Sequence, residues 1–232
     1  MYLKTCMNST MKNLFYFILF YCLFSNNFYG QQITINRIES RLITNQGVEF
    51  IGDLFNPNND LYTFPNWSNN GIIFLDSKSY SLVNINFNVT RNSFESRISR
   101  DKLFSFKNSE IDSVSINNLI FKKFGNSFYE VLFEKGNIFF LKKHDITFQK
   151  GVENRLGVGT LGKTKNLVAY NYLIKSGDIF KRIGLTKSSI VGLLNDANDK
   201  DELENFVKKE DLSYKKENDI IQIFKFLVEN SN

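Results

Sequence analysis

Eight residues in the second half of the chain, Gly157-Val-Gly-Thr-Leu-Gly162-Lys163-Thr164, spell the pattern of a phosphate-cradling loop. That chemistry needs the loop to leave a buried strand and open a helix, so that free backbone amides point at the phosphate. Neither flank complies, because KGVENRL before it is polar and KNLVAYNYLIK after it alternates like a strand. Gly157, Gly162, Lys163 and Thr164 therefore read as a chance match in a glycine-rich hairpin loop, and no cofactor is expected. The single imidazole, His144, lies in Lys142-Lys143-His144-Asp145. Nucleophilic catalysis would set it between a carboxylate and a hydroxyl or thiol. No G-x-S-x-G elbow occurs, so His144 is expected as a solvated residue near a strand end.

Metal chemistry finds little support. One His and two Cys are too few for a zinc site. Asp196, Asn198, Asp199, Asp201 and Glu202 approach a calcium loop, but Lys200 fills a ligand position and Asp201 stands where the turn needs glycine. Acids at a helix start account for this cluster. Glu130 and Glu134 fall two pleats apart on one face of an expected strand, where a carboxylate pair for glycoside cleavage would be sought. Solvation is the plainer expectation.

The candidate ligand contacts are Tyr62, Phe64 and Trp67. They lie in residues 54–71 (LFNPNNDLYTFPNWSNNG), which hold both prolines and the only Trp. Aromatic rings among asparagines could stack on a sugar or a lipid head, or fold back as a plug on a sheet. Asn66-Trp-Ser68 and Asn88-Val-Thr90 also fit the glycosylation pattern.

The N-terminus reads as an address. Lys4 and Lys12 carry charge without an acid, Leu14–Phe24 is unbroken apolar, and SNNFYG precedes Gln31. Such a core suits a cleaved secretory signal and is too short for a bilayer span of about 20 residues. Cleavage is expected near Gly30 and Gln31. Cys22 follows Phe20 and Tyr21, the wrong neighbours for a lipid anchor. The leader would take Cys6 and Cys22 with it, so the exported chain must be held by its own core without disulfides. Loss of Lys4 and Lys12 also lowers the formal charge of +5 by two, too weak a balance to argue for nucleic acid. No further apolar stretch reaches membrane-spanning length, so no transmembrane helix is expected in the mature chain.

The elements that would position these residues are mainly strands. YSLVNINFNVTR (80–91) alternates with period two, Val83, Ile85, Phe87 and Val89 on one face and asparagines on the other, the mark of a half-buried antiparallel strand. FYEVLFE (128–134) and IFFLK (138–142) flank Gly136, and LVAYNYLIK (167–175) and DIFKRI (178–183) flank Gly177, as two hairpins. Further strands are expected at 33–43, 72–75, 94–99, 112–122 and 145–149. Near residue 184 the period changes. A short helix is expected over 187–194, a second carries Leu203, Phe206 and Val207 behind Asp199–Glu202, and a third carries Ile220, Phe224 and Leu227. The expectation is a mainly β or α+β chain: a large curved antiparallel sheet, as a half-open barrel or sandwich, with two to three C-terminal helices. Residues 1–30 form the signal and 31–232 one exported domain, β-rich to 183 and helical from 184.

Phe128-Tyr-Glu-Val-Leu-Phe-Glu-Lys-Gly136 followed by Ile138-Phe-Phe-Leu-Lys-Lys143 resembles a pattern in exported proteins of Bacteroidota-type bacteria. Tyr170-Asn-Tyr172, Leu193-Leu194 and Asp199-Lys200 before a final helix extend the likeness over roughly residues 70–230. The resemblance implies a Gram-negative envelope location, periplasmic or outer-membrane-associated, and brings no catalytic or binding residue with it. The functional expectation is a non-catalytic binding or accessory module whose partner is an envelope protein, a glycan or an apolar ligand. The alternatives are a carboxylate-dependent glycan hydrolase and a structural partner in an envelope complex.

Overall fold

The computed structural model describes residues 40–43, 49–57, 59–75, 78–149, 152–153, 160–161 and 165–230. The leader, its cleavage site near Gly30 and Gln31, and Gly157, Gly162, Lys163 and Thr164 lie outside the described residues.

The strands expected at 138–142 and 145–149 are one continuous strand. β11 (Ile138–Gln149) and β14 (Lys165–Ser176) pair over twelve antiparallel positions, from Ile138 opposite Ser176 to Gln149 opposite Lys165. They lie within an eight-stranded antiparallel sheet in the order β15-β14-β11-β10-β9-β8-β3-β4. Its other strands are β3 (Asn70–Leu75), β4 (Lys78–Val83), β8 (Ser113–Ile116), β9 (Leu119–Phe124), β10 (Ser127–Lys135) and β15 (Ile179–Ile183). Five further strands form a second antiparallel sheet, β1-β2-β7-β6-β5, from β1 (Ser40–Ile43), β2 (Glu49–Phe55), β5 (Ile85–Asn88), β6 (Ser93–Ser99) and β7 (Lys102–Phe106). A short pair, β12 (Val152–Glu153) with β13 (Thr160–Leu161), lies between β11 and β14 in the chain. The helices are α1 (Lys187–Val191), α2 (Ala197–Lys209) and α3 (Glu217–Asn230). The turn glycines Gly136 and Gly177 both have φ of +56°, as the hairpin reading requires.

Two expected strands are each two strands. Residues 112–122 are a hairpin that reverses at Asn117-Asn118, whose φ of 48° and 71° are the paired positive values of a type I′ turn. Residues 80–91 break at Asn84, with φ of 56°, where the chain leaves the eight-stranded sheet and enters the five-stranded one. Asparagine tolerates the left-handed region better than other side chains with a Cβ. The alternation survives the break in letters but not in space: Ile85 and Phe87 are buried and Val83 is 63% exposed.

One face of the large sheet carries two cores side by side. Ile73, Leu82, Val114, Ile116, Phe121 and Phe128 meet Ile85, Phe87, Phe94, Phe104 and Phe106 of the smaller sheet. Each of these fully buried rings is worth about 1.5–3 kcal/mol of burial. Farther along, Phe140, Tyr172, Ile174 and Ile183 meet the apolar stripes of the helices, Leu203 and Val207 of α2 and Ile220, Ile223, Phe224 and Leu227 of α3. Phe206 and Phe226 stack at 4.1 Å between α2 and α3. Asp196 caps α2 by accepting from the Asn198 N–H at 2.7 Å, so the cap lies three residues before Asp199.

The opposite face is curled. Phe124 on β9 and Phe180 on β15 are four strand spacings apart, about 19 Å in a flat sheet, yet their rings lie 6.2 Å apart. Leu141 lies fully buried on this face, with Phe139, and the rings of Phe124, Tyr129 and Phe180 meet there. The sheet does not close into a barrel. Its curl is filled by the chain's own rings.

Candidate functional site

Residues 59–69 cross the free edge of β5 as an irregular strap. Two backbone bonds set its course, Thr63 N–H to Phe87 O at 3.0 Å and Val89 N–H to Leu61 O at 2.8 Å. Side-chain amides extend the pairing where no strand continues it. Asn86 donates through Nδ2 to Phe64 O at 2.9 Å and accepts the Phe64 N–H on Oδ1 at 3.1 Å. Asn69 donates to Asn66 O at 2.8 Å and accepts from Asn117 at 2.7 Å. The expected wet face of 80–91 is thus corrected: Asn86 and Asn88 are fully buried beneath the strap. Asn88, fully buried, is also unable to take a glycan, whereas Asn66 is exposed.

The three aromatic candidates are all in the strap, with different roles. Phe64 packs against the core between the sheets. Trp67 meets Tyr62 edge-on at 4.9 Å, and the Arg97 guanidinium stands 4.8 Å from its ring. Tyr62 donates its hydroxyl to Glu95 Oε2 at 2.8 Å. Burial first, then that bond and the Glu95 charge, push the Tyr62 phenol well above its ordinary range. Glu95 itself is fully buried. Its Oε1 accepts from Asn88 Nδ2 at 2.9 Å, Arg91 Nε at 3.0 Å, Arg91 Nη2 at 2.8 Å and Ser93 Oγ at 3.1 Å. Arg91 also pairs with Asp60 at 2.9 Å and covers the Phe55 ring at 3.8 Å. No sequence signal marked Glu95, which is one acid among many in an alternating strand.

A second polar group ties the strap to the large sheet, and it overturns the reading of His144 as solvated. The His144 side chain is 2% exposed. Its Nε2 lies 2.6 Å from Glu130 Oε2 and its Nδ1 3.1 Å from Thr63 Oγ1. A carboxylate has no proton to give, so in the neutral ring Nε2 bears the hydrogen and Nδ1 accepts the Thr63 hydroxyl. The Phe87 and Phe121 rings wall the imidazole at 6.1 and 5.6 Å between centroids. Burial pushes the Glu130 carboxyl up, but the His144 hydrogen bond and the Lys142 charge outweigh it and hold it below the usual carboxylate range. Lys142 bridges Glu130 at 3.3 Å and Glu217 of α3 at 3.0 Å, and Tyr172 donates to Glu217 at 2.7 Å. The polar line Thr63–His144–Glu130–Lys142–Glu217 runs between the two cores and links the strap to the last helix.

Hydroxyl, imidazole and carboxylate in this order are the groups of nucleophilic acyl transfer. Here the imidazole and carboxylate side chains are 2% and 4% exposed, so a molecule in solvent could reach only the Thr63 end. Thr63 escaped the sequence reading because its side-chain partner His144 lies 81 positions away in the chain. The Glu130–Glu134 pair is corrected outright. A bulge between Val131 and Phe133 shifts the register, which puts the two carboxylates on opposite faces, Glu134 paired with Lys122 at 2.6 Å. Among the described residues, no group of three His, Cys, Asp or Glu side chains converges as metal ligands. No helix among them is long and apolar enough to cross a membrane. No protein-family model matches the sequence, and no curated protein or solved structure is detectably similar to it.

Proposed function

We propose that the chain is an exported accessory module of a bacterial envelope that acts by presenting surface to a partner rather than by turning over a substrate. The N-terminal charge and apolar pattern and the resemblance over residues 70–230 support export and envelope location. The observation that carries the binding role is the face of the large sheet turned away from both cores. Ile72 and Phe74 of β3 and Ile120 of β9 stand on it, each 38–47% exposed. Ser115 lies directly between Ile72 and Ile120 in the register. Gathered apolar side chains on one face are the usual mark of a contact surface, whereas scattered ones need no explanation. The curl farther along this face is filled, which favours a partner on the surface over an apolar cargo inside it.

Sedimentation with envelope fragments of the host tests this. Wild-type chain is expected in the pellet, and a variant carrying Ile72→Ser, Phe74→Ser and Ile120→Ser in the supernatant with an unchanged melting curve. A wild-type chain that stays in the supernatant, or a triple variant that still pellets, refutes it.

A further inference from the structure

One cross-strand row of the large sheet reads Glu134, Phe139, Lys175 and Phe180 on β10, β11, β14 and β15. It lies on the face turned away from both cores, and Lys175 stands directly between the two rings. Phe124 of β9 joins them across the curl, 5.1 Å from Phe139 and 6.2 Å from Phe180. Tyr129 of β10 backs this group, 5.7 Å from Phe180 and 6.1 Å from Phe124. The Lys175 ammonium is thereby set among three rings, 4.9 Å from the centroid of Phe124, 5.4 Å from Phe139 and 5.8 Å from Phe180. Among the described residues it has one hydrogen bond, to Gly177 O in its own hairpin, and no carboxylate partner. The neighbouring Lys122 ammonium, 5.6 Å from Phe139, is held by Glu134. Ring faces attract a cation within about 6 Å of their centroids. Arg91 comes as near as 3.8 Å to Phe55. Rings standing at 4.9–5.8 Å therefore leave a shell around a primary ammonium, space that methyl groups on the nitrogen would fill.

We propose that Phe124, Phe139 and Phe180 form a cage for a quaternary ammonium head, and that Lys175 occupies it until such a head arrives. Hydration favours the exchange. A lysine ammonium is compact and strongly hydrated, so it loses water among the rings and regains it on leaving. A trimethylammonium head spreads the same charge over apolar methyls and gives up less water on entry. No backbone need move, because Lys175 reaches solvent by rotation about its own four-carbon stem. The cage keeps its shape meanwhile, since Phe139 is buried and the rings hold one another. Phe180 is 40% exposed on the edge strand, and there the cage opens to solvent. It shares no residue with the Ile72, Phe74 and Ile120 strip proposed above as a contact surface, so either assignment can fail without the other.

Calorimetric titration of the chain recovered from an exporting host reads the outcome, with choline as the probe and its neutral tert-butyl analogue as the control. Wild type is expected to bind choline and not the analogue. Lys175→Ala should bind choline about tenfold more tightly, the competing ammonium being gone. Phe180→Leu keeps an apolar side chain but loses the ring, and in the Lys175→Ala background it should cancel that gain with an unchanged melting curve. Sedimentation with phosphatidylcholine vesicles, reversed by excess choline, assigns the head to a lipid. Choline binding without sedimentation assigns it to a soluble solute. The proposal is overturned by a wild-type chain that binds no choline, by a Lys175→Ala variant no tighter than wild type, or by a Phe180→Leu change without effect. Binding of the analogue as tightly as choline overturns it equally.

Discussion

Replacing Glu95 by alanine attacks the group that holds the strap most firmly. The carboxylate is fully buried and accepts five hydrogen bonds, from Asn88, Ser93, Tyr62 and twice from Arg91. Breaking a buried ion pair by removing one partner costs about 3–5 kcal/mol, mostly through the charge left behind. Arg91 would not be wholly stranded, because its side chain is 33% exposed and keeps Asp60 at 2.9 Å. That places the expected loss near the lower limit, about 3 kcal/mol, with the Tyr62 hydroxyl and the Asn88 amide deprived of their acceptor. In a chain of this size the melting temperature should fall by roughly 6–12 °C. Urea titration followed by far-ultraviolet circular dichroism gives the free energy directly. Amide exchange should show Leu61–Phe64 losing protection before the large sheet does. A loss below about 1 kcal/mol would refute the reasoning, since it would equate this cluster with an exposed surface pair.

Acid should weaken the fold through Glu130. Its carboxyl is held below the ordinary value, so the unfolded chain binds the proton first, and stability present above about pH 4.3 is lost as pH falls through the folded value. Asp145, held down as the Lys143 and Asn171 bonds outweigh its burial, adds to the slope with the same sign. Urea midpoints of Glu130→Gln measured across acid pH should vary less steeply than those of wild type, and equal slopes would count against the assignment. At the alkaline end, phenolate absorbance should show Tyr62 resisting ionisation where ordinary tyrosines titrate, because its folded value is raised. A Tyr62→Phe variant that loses the same titrating absorbance as an exposed tyrosine would contradict this. Gly52→Ala should cost about 3 kcal/mol, since the new Cβ would lie 2.1 Å from Ser105 O and 2.6 Å from the Phe104 ring. Gly136→Ala meets nothing within 4 Å and should cost only the positive φ, about 1–2 kcal/mol; equal melting curves for the two would dismiss the close-packing argument.

Local pattern determined much of this molecule. Hairpins at Gly136 and Gly177, the sheet-then-helix order and the apolar stripes of α2 and α3 follow from periods of two and 3.6 and from residues that accept positive φ, all properties of neighbours in sequence. Tertiary structure alone decided where that pattern breaks and what its polar letters mean. Asn84 turns one alternating run into strands of two different sheets, a choice invisible to periodicity because both sides of the break alternate. A single bulge in β10 parts Glu130 from Glu134, and so removes the carboxylate pair that spacing offered. His144, Asn86 and Asn88 read as wet from the sequence and are buried, because a strap from another part of the chain covers them and supplies some of their hydrogen bonds. Burial of a polar side chain depends on partners that meet it only after folding, and those partners lie up to 81 positions away.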